Sequence, residues 1–582
     1  LPEYHNPQQE PGTERRLLLV FAVTFLVILI SQAVLQRYGP KPGVQPEQRQ
    51  AVAAPAAPAA AASAAPAGAK AGTAESKQAS TESEVVVEND FYRIRFSNRG
   101  GVVKSWVLKK YDDDQRQPLE LVNQSAAERY GFPMSLWTYD SNLRNKLNSS
   151  LYVMAAAGST MRAPAEISFE FADADVVVRK TFRFDQSYVI RAETSVRSQG
   201  GEVQAYLAWP AGFGDENNPA SYAASQIEYQ FNDKIERLAI KKISGGATIN
   251  GPFHWAAVAD QYFAAAFLPD DPQNAAMVTL REGLELAKDA KKGDPNDKVK
   301  VEVLGLAVGD RGGPTVQRVF VGPKALEVLE SVPVAGMAKG VEPDLRGIVN
   351  FGFFGIIARP LFLWLKWTYH HMTPNWGWAI VIQTIIINVA LLPLRISSMK
   401  SALRMQKLAP QIKSIQEKYK KYSMRDPKKQ EMQQEIAALY KKEGVNPVGG
   451  CLPMLVQMPF LIAYYTMLSA AIDLRHAPWL WVRDLSAADP LKILPIAVIV
   501  STLAMQKMTP QAGMDPAQQK MMTLMMPVML GFVSWSIAAG LCLYWVVGSV
   551  IGIVQQAVMN RTSLGREMRE IMEKRARKKS SA

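Results

Sequence analysis

The sequence predicts a polytopic α-helical membrane protein: an N-terminal signal anchor, an inserted all-β domain of sandwich type, and a core of five membrane helices. Three observations predict it. Apolar residues crowd into 17–35 and into 351–559. The stretch between has ordinary soluble composition, broken into short alternating segments. The basic residues sit beside the apolar runs, where Lys and Arg hold loops on the cytoplasmic side. The net charge of +13 is therefore read as membrane topology before nucleic-acid binding. Cys451 and Cys542 both fall in apolar segments, which excludes a disulfide scaffold or a Cys-type zinc cluster in the soluble region. His5, His254, His370, His371 and His476 are too scattered for a metal site, and no cofactor motif stands out.

The anchor is placed at 15–36. Leu17 to Leu35 follows Arg15 and Arg16, and its length at about 1.5 Å per residue just crosses a hydrocarbon core of about 30 Å. Ser31-Gln32-Ala33-Val34-Leu35 is a poor cleavage site, so the anchor is expected to stay attached. Residues 37–84 are an Ala/Pro-rich linker unable to bury a core.

From 85 to 340 the pattern is that of antiparallel strands with one wet face, as in Phe91–Phe96, Val176–Phe184 and Tyr188–Thr194. One span precedes this domain, which puts it across the membrane from the N-terminus. Asp112-Asp113-Asp114 is expected to be a solvated turn, and no paired carboxylates at a suggestive spacing are visible. The segment 351–371 is apolar enough to resemble a span. Arg359, Lys366 and His370 are spaced by seven and four, however, and so share a helical face. A charged stripe opposite Trp, Phe and Leu predicts a helix lying in the interface. Counting it as a span would also put the basic loop 397–446 outside.

Five spans are expected at 376–396, 451–471, 491–507, 522–538 and 541–559, within a core of 376–560. The basic segments 397–446 and 561–582 then fall in the cytoplasm. In the loop 397–446, Leu408, Ile412, Ile415, Tyr419 and Tyr422 make an a/d seam, continued by Met432, Ile436 and Leu439 after a break at 423–427. Asp426 can cap the second helix and Pro427 suits its first position. The result is a helical hairpin with basic residues at its tip, including Lys418, Lys420, Lys421, Arg425, Lys428 and Lys429. These residues can enforce orientation, or dock an acidic partner or anionic membrane lipids. The tail, Arg566 to Lys579, can equally anchor the orientation or contact RNA phosphate.

Gly444-Val445-Asn446-Pro447-Val448-Gly449-Gly450-Cys451-Leu452-Pro453-Met454-Leu455-Val456-Gln457-Met458-Pro459 resembles the most recognisable motif of the YidC membrane protein insertases. Asn375-Trp376-Gly377-Trp378, Asp484 to Pro490, Asp515 to Met522 leading into Pro527, and Gly540 through Tyr544-Trp545 to Gln556 are similar in order and spacing. The resemblance is specific over about 345–560, and the large extra domain is similar to that of the Gram-negative branch. It implies an ATP-independent insertase of the bacterial inner membrane, without catalytic residues or cofactors. Its termini would be cytoplasmic and residues 37–371 periplasmic. It would act on nascent membrane proteins, alone or with the Sec translocon, and meet the ribosome or the signal-recognition targeting machinery. Five core helices would enclose a hydrophilic groove open to cytoplasm and lipid.

One departure matters. The family's groove typically carries an arginine in the first core span; with Trp376-Gly377 and Pro393-Leu394 as anchors, that position is Asn388. Thr384, Asn388 and Arg395 share a helical face, so Arg395 is expected to supply the charge from the cytoplasmic mouth. Ordinary snorkelling of Arg395 at a span end is the competing reading. Gln457, Gln506, Gln555 and Gln556 are further candidates to line the groove or to bond between helices. Met505, Met508, Met521, Met522, Met525 and Met526 are candidates for contact with apolar substrate segments. Other functions would be a transporter, or a membrane-anchored periplasmic carbohydrate-binding or processing protein; deleting 85–320 separates the latter from an insertase.

Overall fold

The computed structural model describes residues 76–570, apart from 217–220, 232–233, 288–297, 335–343, 423–425, 446–451, 509–515, 564 and 568–569. The expected anchor at 15–36, residues 37–75 of the linker, Arg425, Cys451 and the tail beyond 570 lie outside the described residues.

Three sheets make up the region from Glu84 to Pro323. The largest runs through Lys234–Ala239, Gln226–Phe231, Ala256–Ala259, Phe263–Pro269, Thr315–Pro323, Val189–Ser198, Val176–Phe184, Ala165–Ala172 and Val153–Ala155. A second is built on the long hairpin Ala275–Ala287 with Lys298–Asp310, and a third on Tyr92–Ser97 with Val102–Asp112. Pairing is antiparallel throughout, except between Glu84–Glu88 and Thr160–Arg162. The sheets share one core. Phe96 packs on Phe182 at 5.3 Å between ring centroids, and Trp106 on Trp209 at 6.0 Å.

Strand Val176–Phe184 shows how the sequence sets the layer. Its residues alternate inward and outward, and the inward set 176, 178, 180, 182 and 184 includes a lysine. Lys180 is fully buried. Its Nζ donates to the main-chain oxygens of Gly100, Met134 and Gly101 at 2.7, 2.8 and 3.2 Å. Gly100 and Gly101 both have positive φ, which glycine adopts without a Cβ clash and which turns their carbonyls inward. Short helices α1 (Gln124–Tyr130), α2 (Ser141–Ser149) and α3 (Leu326–Glu330) close the domain.

The C-terminal part is helical: α4 (Gly355–His371), α5 (Trp376–Ala390), α6 (Leu392–Lys418), α7 (Pro427–Lys442), α8 (Leu452–Ala470), α9 (Ile493–Met508), α10 (Pro516–Ser534) and α11 (Ala539–Arg561). Asn375 caps α5 by accepting from Trp378 N at 3.2 Å. A Cβ at Gly377 would overlap the Trp479 indole, so only glycine lets this first turn approach the loop that carries Trp479. Among the described residues, α11 is long and apolar enough to cross a membrane by itself. Helices α5 and α6 meet that test jointly, across a bend of 47° next to Pro393, which has no N–H for the helical ladder.

Several boundaries differ from those expected. The first span was expected to end at 396, but α6 runs unbroken from Leu392 into the hairpin, ending at Lys418. The fourth expected span ends at Ser534 and the fifth begins at Ala539, because the loop carrying Leu485 and Ala487 caps that end. Ala539 N donates to Ala487 O at 2.7 Å and Gly540 N to Leu485 O at 2.9 Å. In the hairpin, Asp426 accepts from Lys428 N at 3.0 Å with Pro427 at the first helical position. Leu408, Tyr419 and Ile436 are buried on the seam, and Lys418 reaches Glu435 across it at 3.1 Å.

Two expectations are corrected where the β region meets the helices. The charged stripe proposed for 351–371 does not face water at Lys366, which is 7% exposed. Its ammonium lies 2.5 Å from Glu327 on α3 and 3.1 Å from Asp473 after α8. The exposed side of α4 instead carries Ile356, Pro360, Leu363 and Trp367. Charge was buried because it was paired, which helical spacing alone does not reveal. Nor is Asp112-Asp113-Asp114 a solvated turn throughout. The Asp112 carbonyl accepts from Arg475 at 3.0 Å, and the Asp114 carboxylate lies 3.5 Å from His476.

Candidate functional site

The helical core holds a small cavity of about 80 Å³, lined by Asn388, Arg395, Gln457, Met505, Tyr544, Trp545, Gly548 and Ser549. Helical spacing puts Asn388 and Arg395 on one side of the bent α5–α6 pair. Small residues on α11 let the other helices in: a Cβ at Gly552 would stand 2.8 Å from Met505 Sδ and 3.0 Å from Arg395 Nη2. The Arg395 guanidinium donates to Gln555 Oε1. The amide nitrogen of Gln555 donates to Asn388 O at 3.1 Å, and that of Asn388 to Thr384 O at 2.9 Å.

The other expected residues are placed differently. Thr384 is fully buried one turn from Asn388, its hydroxyl donating to Ile380 O at 2.6 Å within its own helix. Gln556 donates to Asn560 at 2.9 Å, and Gln506 does not line the cavity. Met505 is in the wall, whereas Met508 and Met526 are half-buried and Met525 is exposed. The side chains of Met521 and Met522 lie outside the described residues. At the hairpin tip Lys418, Lys420, Lys421 and Lys428 are exposed, and Lys429 is half-buried.

A buried network behind the cavity was not anticipated. Tyr544 stacks on Tyr464 at 4.2 Å. The Tyr464 hydroxyl donates to Gln383 Oε1 at 2.8 Å, and Gln383 Nε2 donates to Leu361 O on α4 at 2.9 Å. Gln383 was the available signal, as a second amide beside Asn388 in a mostly apolar run. Among the described residues, the cavity wall holds one cation and no carboxylate, His or Cys. It can donate and accept hydrogen bonds and attract an anion, but it has no acid–base pair.

The outside of the bundle is greasy. On α10, Leu524, Met525, Val528, Met529 and Phe532 are all exposed, as are Ile496 and Val500 on α9 and Val550, Val554 and Val558 on α11. Contiguous apolar faces of this kind belong against hydrocarbon.

The β region brings together carboxylates that sequence spacing did not flag. Glu216 accepts from Ser225 Oγ at 2.7 Å and Phe213 N at 3.3 Å, and is 6% exposed. Asp260, also buried, accepts from Phe263 N at 2.6 Å and Tyr262 N at 2.7 Å. Burial, with Asp260 second, pushes Glu216 up to about 8. Burial likewise pushes Glu228 up to about 7, against the pull of Lys324 and Arg237. Among the described residues no group of three or more His, Cys, Asp or Glu is arranged to hold a metal.

A strand-rich domain joined to a helical core with apolar outer faces and a half-buried guanidinium is the architecture of a membrane protein. Residues 84–364 match the model of the YidC periplasmic domain, and 367–566 that of the 60Kd inner membrane protein. The membrane protein insertase YidC of Geobacter sulfurreducens is 35% identical over 81% of this chain and 85% of its own length. That of Syntrophus aciditrophicus is 30% identical over 94% and 99%. A YidC insertase crystal structure with its first transmembrane domain resolved aligns over 84% of this chain and 95% of that one, at 18% identity and a TM-score of 0.33. The chain belongs to the YidC family.

Proposed function

We propose that this chain inserts nascent membrane proteins into the inner membrane, with the cavity around Arg395 as the polar end of a groove open to lipid and cytoplasm. The observation that carries this reading is the Arg395 guanidinium, held beside Asn388 and Gln555 inside a bundle whose outer faces are apolar. Polar groups are costly in hydrocarbon, so a wet half-channel shortens the path over which a substrate's polar segment is unsolvated. The greasy faces of α9 and α10, Met525 included, would receive its apolar segment. The groove lowers a barrier and needs no covalent step; the driving free energy comes from the substrate's own burial in lipid.

In this reading the core crosses the bilayer five times: through α5 with the start of α6, then α8, α9, α10 and α11. The hairpin and both termini are cytoplasmic, residues 37–371 are on the periplasmic side, and α4 lies in the outer interface on its apolar face. The basic hairpin tip docks the ribosome or targeting machinery, and the Sec translocon is a partner for some substrates. Arg395 stands in for the arginine the family carries at the Asn388 position. Reconstituting the purified chain into liposomes and measuring protease protection of a single-span substrate tests the function. Protection above that of empty liposomes is expected, and its absence refutes the reading.

A further inference from the structure

We propose that Gln383 is a positioning residue for the cavity: it does not line the cavity itself, but through Tyr464 it holds the Tyr544 ring in the wall. This rests on the reading of that cavity as the polar end of an insertion groove.

Gln383 lies five residues before Asn388 on α5, which at about 100° per residue turns it roughly 140° away from the cavity side. It is fully buried and is not among the lining residues. An amide inside an apolar bundle is costly unless both its ends are bonded. Here both ends are bonded, and to two different helices. Gln383 Nε2 donates to Leu361 O on α4 at 2.9 Å, and Gln383 Oε1 accepts from the Tyr464 hydroxyl on α8 at 2.8 Å. Leu361 O can only accept, so the amide nitrogen must face α4 and the oxygen must face Tyr464. One side chain thus sets α4, α5 and α8 against each other.

Tyr464 carries that constraint to the cavity. It is fully buried, and its ring stacks on Tyr544 of α11 at 4.2 Å between centroids and 19° between planes. Tyr544 in turn lines the cavity with Asn388, Arg395 and Ser549. Packed interiors leave few voids, so the Tyr544 ring rests where the Tyr464 ring lies. At about 80 Å³ the cavity has space for on the order of three waters at about 30 Å³ each. In so small a space a displaced aromatic ring changes how much water reaches Arg395. Leu361 also lies five residues before Lys366, which ties the same helix to Glu327 and Asp473. The wall is therefore registered against an α4 that is itself held.

The test uses two readouts on the full chain in liposomes. The rate at which a water-soluble maleimide alkylates Ser549→Cys, corrected for Cys451 and Cys542, reads water access to the cavity. Protease protection of a single-span substrate with a polar exported segment reads insertion. Gln383→Met orphans the Tyr464 hydroxyl, and should raise alkylation and lower the insertion rate, each by about tenfold. Combining it with Tyr464→Phe leaves neither group orphaned and keeps the stacked rings. Both readouts should then return to within about twofold of wild type. A glutamine that only bonded helices together would lower the melting temperature and leave both rates of the folded protein unmoved. Unchanged or lowered alkylation in folded Gln383→Met overturns the proposal, as does a double variant altered at least as much as Gln383→Met. Alkylation needs no substrate, so it decides the positioning claim even if the wild-type chain inserts nothing. Raised alkylation with normal insertion would uphold the positioning and refute the groove.

Discussion

The side-chain amide of Gln555 lies 3.1 Å from the main-chain oxygen of Asn388, fastening α11 to the C-terminal end of α5. The same side chain accepts from Arg395, so one glutamine positions the only charged group in the cavity wall among the described residues. Arg395 and Asn388, seven residues apart, are thus linked through one glutamine.

Arg395→Ala should reduce insertion of substrates with acidic exported segments by about tenfold, the loss of a charge-assisted hydrogen bond, while Arg395→Lys keeps most of it. Protease protection in proteoliposomes measures both. If Arg395→Ala inserts normally while Asn388→Leu abolishes insertion, polarity and not charge is what the cavity supplies.

Lys366→Met should loosen the junction between the β region and the helices. It leaves Asp473, itself largely buried, without its cation, and breaking such a pair costs about 3 kcal/mol. Hydrogen exchange at 470–476 should rise, and Lys366→Arg should restore protection. Exchange unchanged in Lys366→Met would mean that the pair holds nothing together.

The buried carboxylates predict an unusual pH dependence. Glu216 and Glu228 titrate near 4.5 when unfolded but near 8 and 7 when folded. Between 4.5 and 7 the folded state therefore binds more protons than the unfolded state. Their contribution is fully present below 4.5 and is lost as pH rises towards 8, at about 1.4 kcal/mol per pH unit for each group. Exchange in the strand Ala256–Ala259 should accordingly be better protected from opening at pH 5 than at pH 7, once intrinsic rates are allowed for. Glu216→Gln should flatten the trend.

Reversing Lys420, Lys421 and Lys428 to Glu should leave helix content unchanged, because all three are exposed. Co-sedimentation with ribosomes should fall and lose its salt sensitivity. Undiminished co-sedimentation would confine the tip to setting orientation.

Features carried by local pattern were legible in the sequence. The seam Leu408, Tyr419 and Ile436, the cap at Asp426 and the alternation of Val176–Phe184 each depend on residues a few positions apart. Features made by long-range pairing were not. Lys366 looked solvated until Glu327 and Asp473, thirty-nine residues before it and 107 after, were seen against it. Asp260, just past the strand Ala256–Ala259, meets Glu216, in the loop after Tyr206–Trp209, only because both loops reach one domain core, and no spacing encodes that. In the cavity, Asn388 and Arg395 could be placed on one face from periodicity. Tyr544 and Gly552 could not, since they matter through contacts made by α11 with other helices. Thr384 satisfied the same periodicity but lies too deep, with its hydroxyl taken up by its own helix.

The most direct test places a photo-crosslinker in turn at Asn388, Gln457 and Met525 and presents a ribosome-stalled nascent membrane protein. The account predicts adducts from 388 and 457 to the substrate's hydrophilic segment, and from 525 to its apolar segment. No adduct from any of the three positions would contradict it.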